Sequence, residues 1–290
     1  MKKTTRFKAL LRDPKIVLMP VCHDPLGARI VEKAGFDALA CAGYANSAAL
    51  LGAPDVGLLT LTEMADAVWR VADAVDLPVF ADGDNGHGNT TNVARTVKLM
   101  ERAGAATIML EDQVLPKRCG HMTGKRVIAR EDYRAKLRAA LDARVDPDLA
   151  ILARTDAIAV EGFEEAVARA QMALEEGADW VFLEAPASAD VLAEIPRRVA
   201  APHLANLIPG GATPLLNAAE LEALGFAVVA FPTVMTFAYA KAAMEAAAHL
   251  MRTGGVAGLE PRMVDFDAFH ELVGLPALRA AEERAHRRKA

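Results

Sequence analysis

The run Ala103-Gly104-Ala105-Ala106-Thr107-Ile108-Met109-Leu110-Glu111-Asp112 decides the fold. A glycine closes an amphipathic stretch, Thr91 to Ala103, and a short apolar run, Thr107 to Asp112, then ends on two acids. Glycine takes the left-handed backbone that ends a helix and reverses the chain. The same step recurs at Ala34-Gly35-Phe36-Asp37, Glu176-Gly177-Ala178-Asp179 and Leu224-Gly225-Phe226. Outward from it, strands are expected at Ile16 to Val21, Ala38 to Gly43, Val79 to Asp84, Ala150 to Thr155, Trp180 to Ala185, His203 to Ile208 and Phe226 to Phe231. Helices are expected between them at Pro25 to Ala34, Leu61 to Ala74, Arg130 to Ala143, Phe163 to Glu176, Ala187 to Val199 and Ala218 to Leu224, with an eighth from Thr236 to Met251. This alternation marks βα units. Eight strands without a phosphate-binding glycine fingerprint after the first argue for an α/β fold of the (β/α)8 TIM-barrel type over a doubly wound sheet.

With 290 residues, 53% of them hydrophobic, the chain has ample material for such a core. No Pro/Gly/Ser linker interrupts it, so residues 1–290 are expected to form a single barrel domain with a C-terminal helical extension over about 256–290. That tail is amphipathic at Phe266, Phe269, Leu272, Val273 and Leu278, as befits appended helices packed on a neighbouring subunit. A homo-oligomer, a tetramer, is expected. The net charge of -5 gives no electrostatic reason for a nucleic-acid or acidic-membrane partner. The basic tail, Arg284 to Lys289, reads as a solvated helix end. Cys22, Cys41 and Cys119 form no disulfide framework, and no apolar run reaches membrane-spanning length. A soluble cytoplasmic protein is expected.

A barrel places its active site at the C-terminal ends of its strands. Those ends are polar here: Asp82-Gly83-Asp84-Asn85-Gly86-His87-Gly88-Asn89, Glu111-Asp112, Arg154-Thr155-Asp156, Glu184 and Asn206. Asp82 and Asp84, two apart on one strand, would share a face. With Glu111 they offer hard oxygen donors for Mg2+, with Mn2+ as the alternative ion. The competing reading is that the acids cap the helix beginning near Thr90. Arg154 presents a planar fork suited to a substrate carboxylate, or else makes a structural salt bridge to Glu184 or Glu111. After strand four comes Lys117-Arg118-Cys119-Gly120-His121, whose positive neighbours favour a thiolate or a readily exchanged proton at Cys119. The plain alternative is a surface loop with an incidental cysteine.

These motifs, with Gly52-Ala53-Pro54-Asp55, Leu110-Glu111-Asp112-Gln113, Ala153-Arg154-Thr155-Asp156, Leu183-Glu184-Ala185 and Ala205-Asn206, resemble the isocitrate lyase and phosphoenolpyruvate mutase superfamily over nearly the whole chain. The likeness is to its 2-methylisocitrate lyase and 2,3-dimethylmalate lyase branch. It implies Mg2+-dependent cleavage of a 2-hydroxy dicarboxylate between C2 and C3, giving a 2-oxo acid such as pyruvate and a second carboxylate. It further implies a metal near Asp82 and Asp84, partly through water, with Glu111 in its outer shell. Ala42, Gly43 and Tyr44, with Arg154, would hold the 2-oxo acid carboxylate. Cys119 would protonate the enolate from a closing loop, Gly120 and His121 would bind that product's carboxylate, and Glu184 and Asn206 would line the pocket. Cys119, His121, Arg154 and Glu111 make up the catalytic set by this resemblance.

The chain departs from the branch at Ala40, where a tyrosine usually handles the 2-hydroxyl proton, and at Pro209, His87 and Cys22-His23. The general base is therefore left open, with His87 and His23 as candidates that could equally be polar wall residues. Other activities compatible with the resemblance are phosphorus–carbon bond formation, as in carboxyvinyl-carboxyphosphonate phosphorylmutases, and oxaloacetate hydrolysis or decarboxylation. A non-catalytic carboxylate sensor is the reading from a different class.

Overall fold

A computed structural model describes residues 1–287. Its strands are β1 (Val17–Pro20), β2 (Leu39–Cys41), β3 (Val79–Asp82), β4 (Thr107–Glu111), β5 (Ala150–Thr155), β6 (Trp180–Leu183), β7 (Leu204–Asn206) and β8 (Val228–Phe231). All pair in parallel, as an arc β2-β3-β4-β5-β6 and an arc β1-β8-β7. Single parallel bridges, Val21 to Ala40 and Val181 to His203, join the two arcs. The barrel thus closes with its strands in sequence order, as expected.

Three buried clusters fill it. Met19, Ala40, Phe80, Met109, Leu152, Phe182, Leu204 and Ala230 belong to the cluster inside the barrel. The other two clusters lie between the strands and the surrounding helices. Those helices are α2 (Pro25–Lys33), α4 (Leu61–Ala74), α5 (Thr90–Arg102), α6 (Arg130–Ala143), α7 (Phe163–Glu176), α8 (Ala189–Arg198) and α9 (Ala218–Leu224). An unexpected helix, α1 (Lys3–Leu10), belongs to the inner cluster through Phe7, which packs on Trp180 with ring centroids 5.4 Å apart. Its sequence, KTTRFKAL, carries too few apolar residues to announce a helix. After β2 the chain makes a short helix, α3 (Gly43–Asn46), that widens into a π-turn at Ser47–Leu51.

Two expectations need correction. Strand three stops at Asp82, and Asp84 adopts a left-handed backbone with φ 47°, so the alternation of a strand does not relate the two acids. The expected eighth helix also leaves the barrel. This helix, α10 (Val234–Thr253), has no buried residue and exposes Phe237, Tyr239, Met244 and Met251. Where a barrel helix would lie, Leu18 of β1 and Leu26 and Ile30 of α2 remain exposed. Beyond it, α11 (Phe266–Leu272) touches α2 and α12 (Leu275–Arg287), while Arg288 and Lys289 of the basic tail lie outside the described residues. Among the described residues, no helix is long and apolar enough to cross a membrane.

Candidate active site

One cavity opens at the C-terminal end of the strands. Ala42, Tyr44, Asp55, Asp82, Glu111, Lys117, Cys119, Gly120, His121, Arg154, Glu184 and Asn206 line its polar half, and Ala40, Phe80, Met109 and Ala230 form an apolar floor. Nearly every sequence-predicted site residue thus converges on one space. Asp84 and Gly43 stand one contact behind its wall.

At the centre of the acidic side, the Lys117 ammonium lies 2.7 Å from Asp55 Oδ1 and 2.6 Å from Asp84 Oδ1. Burial would lower its pKa, but Asp84, Asp82, Asp55 and Glu111 override it and hold the group well above the ordinary lysine range. Asp82 accepts hydrogen bonds from Gly43 N at 2.9 Å and Asp84 N at 3.0 Å. A Cβ on Gly43 would crowd Lys117 Nζ and Asp82 Oδ2 at 3.1 and 3.2 Å, so any side chain there would press on this pair. The helix-cap reading of the acids fails: α5 is capped by Asn89, whose side chain accepts from Thr91 N and Asn92 N.

Glu111 is buried and its Oε1 has no hydrogen-bond partner, while Oε2 lies 3.5 Å from Arg154 Nε. Burial raises its pKa well above the usual carboxylate range despite Arg154, and it raises Asp84 to about 6 despite Lys117. Among the described residues, no three His, Cys, Asp or Glu side chains gather closely enough to hold an ion by themselves. Asp82 and Glu111 instead give the wall hard oxygens, with an unpartnered buried oxygen at Glu111, and Asp84 stands behind them on Lys117. Such a donor set fits a divalent cation that keeps waters in its shell, as Mg2+ does.

Opposite stands Arg154. Its Nε and Nη2 donate to Asp156 at 2.9 and 3.1 Å, a partner the sequence reading did not single out; the anticipated Glu111 and Glu184 are at 3.5 and 3.6 Å. Asp156 is held near pKa 2: burial pushes it up, but Arg154 and Lys125 pull it further down. Behind it, the buried Asp112 accepts from Asp156 N at 2.9 Å, Thr155 Oγ1 at 2.6 Å and Arg169 Nη1 at 3.1 Å. The buried Tyr133 hydroxyl lies 2.8 Å from the Arg154 carbonyl and 3.0 Å from that of Leu110. Tyr133 and Arg169 sit in helical stretches that read as ordinary amphipathic surface. Only their reach across to strand ends marks them.

The loop after β4 covers the cavity. Its base is tied by a bridge between Gln113 and Val127, and the Gln113 side chain bonds both backbone groups of Arg118, at 3.0 Å to N and 2.9 Å to O. At its tip, Gly120 packs where any Cβ would overlap the Arg154 guanidinium and Glu184. His121 Nε2 lies 2.8 Å from Glu184 Oε1, and its Nδ1 accepts from Ala212 N at 3.0 Å. The imidazole proton therefore sits on Nε2, facing the carboxylate. The cationic surroundings expected to ionise Cys119 are directed elsewhere. Lys117 turns to Asp55 and Asp84, and Arg118 Nη1 donates outward to Thr123 O. Burial raises the Cys119 pKa, with Glu184 and Asp55 adding to it, so the group is a thiol. Tyr44 is likewise raised by burial, then by Cys119 and Asp55. His23 instead lies tilted against Tyr239, with ring centroids 5.7 Å apart, and neither it nor His87 lines the cavity.

This geometry is that of an enzyme site at the mouth of a barrel. The family model for phosphoenolpyruvate phosphomutase matches residues 7–251, and the chain belongs to the phosphoenolpyruvate mutase/isocitrate lyase superfamily. It is 42% identical to the 2,3-dimethylmalate lyase of Eubacterium barkeri over 97% of this chain and 98% of the relative. The crystal structure of a 2,3-dimethylmalate lyase superposes with a TM-score of 0.93 at 34% identity, covering 98% of this chain and 96% of that one. A phosphonopyruvate hydrolase solved with oxalate and Mg2+ superposes at 0.89 and 30% identity, covering 98% of this chain and 99% of the other. Fold and family stand as the sequence motifs implied.

Proposed function

We propose that the protein is a Mg2+-dependent carbon–carbon lyase that cleaves a 2-hydroxy dicarboxylate of the alkylmalate or 2-methylisocitrate type into a 2-oxo acid such as pyruvate and a second carboxylate. The observation that carries this reading is the half-buried, protonated Cys119 held over a cavity with oxygen donors on one side and Arg154 on the other. Asp82, Asp84 and Glu111 would hold the ion through its waters. When bound, Mg2+ supplies positive charge for the alkoxide and the oxo-acid oxygens.

The chain's own residues do the rest. The edge of Arg154 not engaged by Asp156 takes a substrate carboxylate, and Ala42, Gly43 and Tyr44 position that end of the molecule. Once the 2-hydroxyl proton has passed to a base, the C2–O electrons form the 2-oxo group and the C2–C3 pair leaves as an enolate, which Cys119 Sγ protonates at carbon. Gly120 and His121 hold the departing carboxylate end, with Glu184 orienting the imidazole of His121 and Asn206 lining the same pocket. A thiol kept protonated by burial is matched to the donor role and poorly matched to nucleophilic attack. The lid excludes the water that would otherwise protonate the enolate at random.

A dehydrogenase-coupled assay for pyruvate, run with Mg2+ across 2,3-dimethylmalate, related alkylmalates and 2-methylisocitrate, tests the reading. At least one acid is expected to turn over, and Cys119→Ser to lose about 100-fold or more, the range for a proton-transfer group. Turnover of none of them, or an unimpaired Cys119→Ser, would overturn it.

Assembly with copies of itself, as a tetramer, belongs to the same proposal. The exposed apolar residues of α10 and the bare Leu18, Leu26 and Ile30 are the two halves of an exchange between copies. Light scattering that returns a monomer at micromolar concentration would remove it.

A further inference from the structure

We propose that Lys125 is a positioning residue that couples closure of the lid to occupancy of the Arg154 carboxylate site; the inference rests on the reading of Arg154 given above. The Lys125 side chain is 3% exposed although it belongs to a surface loop. Its ammonium lies 2.7 Å from Asp156 Oδ1 and donates to the Gly120 carbonyl, so one group ties the lid tip to the end of β5. The other lid cations do not share this position, since Arg118 bonds outward to Thr123 O and Arg126 is exposed.

The decisive feature is a shared oxygen. Asp156 Oδ1 accepts from Arg154 Nη2 at 3.1 Å as well as from Lys125. With the lid raised, the Asp156 carboxylate serves Arg154 alone and cancels much of its charge. Docking Lys125 divides that carboxylate between two cations, which leaves Arg154 more attractive to an anion in the cavity. Linkage requires the reverse as well: an anion on Arg154 frees Asp156 to hold Lys125, and so favours the closed lid by the same factor. Gly120 enforces the match, because only a residue without a side chain lets the lid tip rest against Arg154 and Glu184. The backbone that carries Asp156 is held in turn by Asp112, which accepts from its amide at 2.9 Å.

The test measures iodoacetamide alkylation of the full-length protein with Mg2+, with and without oxalate as the anion. Cys22 and Cys41 are buried, so native-state modification reads Cys119. Oxalate is expected to slow alkylation of the wild type. In Lys125→Met that protection should shrink by about 5-fold or more, the lower end of ordinary coupling, and oxalate affinity by calorimetry should fall by the same factor. Lys125→Arg should restore both, and Arg126→Met should match the wild type. If Lys125→Met does not fold, Lys125→Gln is read against the same expectations. Full protection in a folded Lys125 variant that still binds oxalate would overturn the coupling alone. Failure of the wild type to bind oxalate, or binding unaffected by Arg154→Met, would overturn the carboxylate reading and the coupling with it.

Discussion

Two buried polar clusters flank the cavity, and they are built on opposite plans. Behind β5, every charge is answered: Asp112 accepts from Thr155, Asp156 and Arg169, and Arg169 also reaches Glu161, Glu165 and the Ile128 carbonyl. Around β3 and β4, Asp55, Asp82, Asp84 and Glu111 face one buried ammonium, and Glu111 Oε1 is left without a donor. A buried polar group left unpaired is costly, so a saturated cluster serves the fold and an unsaturated one awaits a ligand. The largest break in this contrast is Asp112→Ala. It strands the buried Arg169 and releases the Asp156 backbone, and should destabilise the protein by about 3–5 kcal/mol, as loss of one buried partner does. Urea unfolding checks it, and a loss below about 1 kcal/mol would show that Arg169 and Asp156 do not depend on Asp112 as their buried partner.

The unsaturated side responds in the opposite sense. Glu111→Gln replaces a carboxyl whose ionisation burial disfavours by a neutral amide, so without metal its melting temperature should equal or exceed that of the wild type. The rise in melting temperature on adding Mg2+ should be lost or much reduced, with activity down about 10–100-fold, as for groups that orient a metal's shell. Calorimetric scans with and without Mg2+ decide it. An unaltered Mg2+ response in the variant would place the ion elsewhere.

The same contrast explains what the sequence could reveal. The spans of β5, α4, α6, α7 and α9 are the expected ones, because periodicity and glycine ends are local signals. The acids, Arg154 and the thiol loop were legible because charge at the end of an apolar strand needs a reason. Lys125 and Tyr133 were not, since their partners lie 31 and 21 residues away and only the folded barrel brings them together. Which of the two states open to Cys119, thiolate or thiol, is present was illegible for a related reason. Adjacent cations in sequence predict a thiolate only if their charges remain beside it, and Lys117 turns into the acidic cluster. The departure of α10 was equally hidden, because its composition resembles that of a barrel helix.

A group that is satisfied on one side only should show an intermediate effect, and His203 is such a group. It lies at the opposite end of the barrel from the site, just before β7, with Nε2 2.7 Å from the Val199 carbonyl and Nδ1 buried without a partner. The short contact to a carbonyl places the proton on Nε2, and burial lowers the ring's pKa, with the Val199 bond opposing it. An unfolded histidine takes a proton near pH 6.5, at about 1.4 kcal/mol per pH unit of difference once the folded ring refuses it. Between pH 6.5 and the depressed folded value the unfolded chain therefore binds more protons, and stability falls as pH falls. His203→Gln keeps a donor for Val199 but cannot titrate. The wild-type advantage over this variant should be constant above pH 7 and should diminish from pH 6.5 to 5 in urea unfolding. Parallel curves across that window would mean that the buried ring is protonated in the fold, with a partner found for Nδ1.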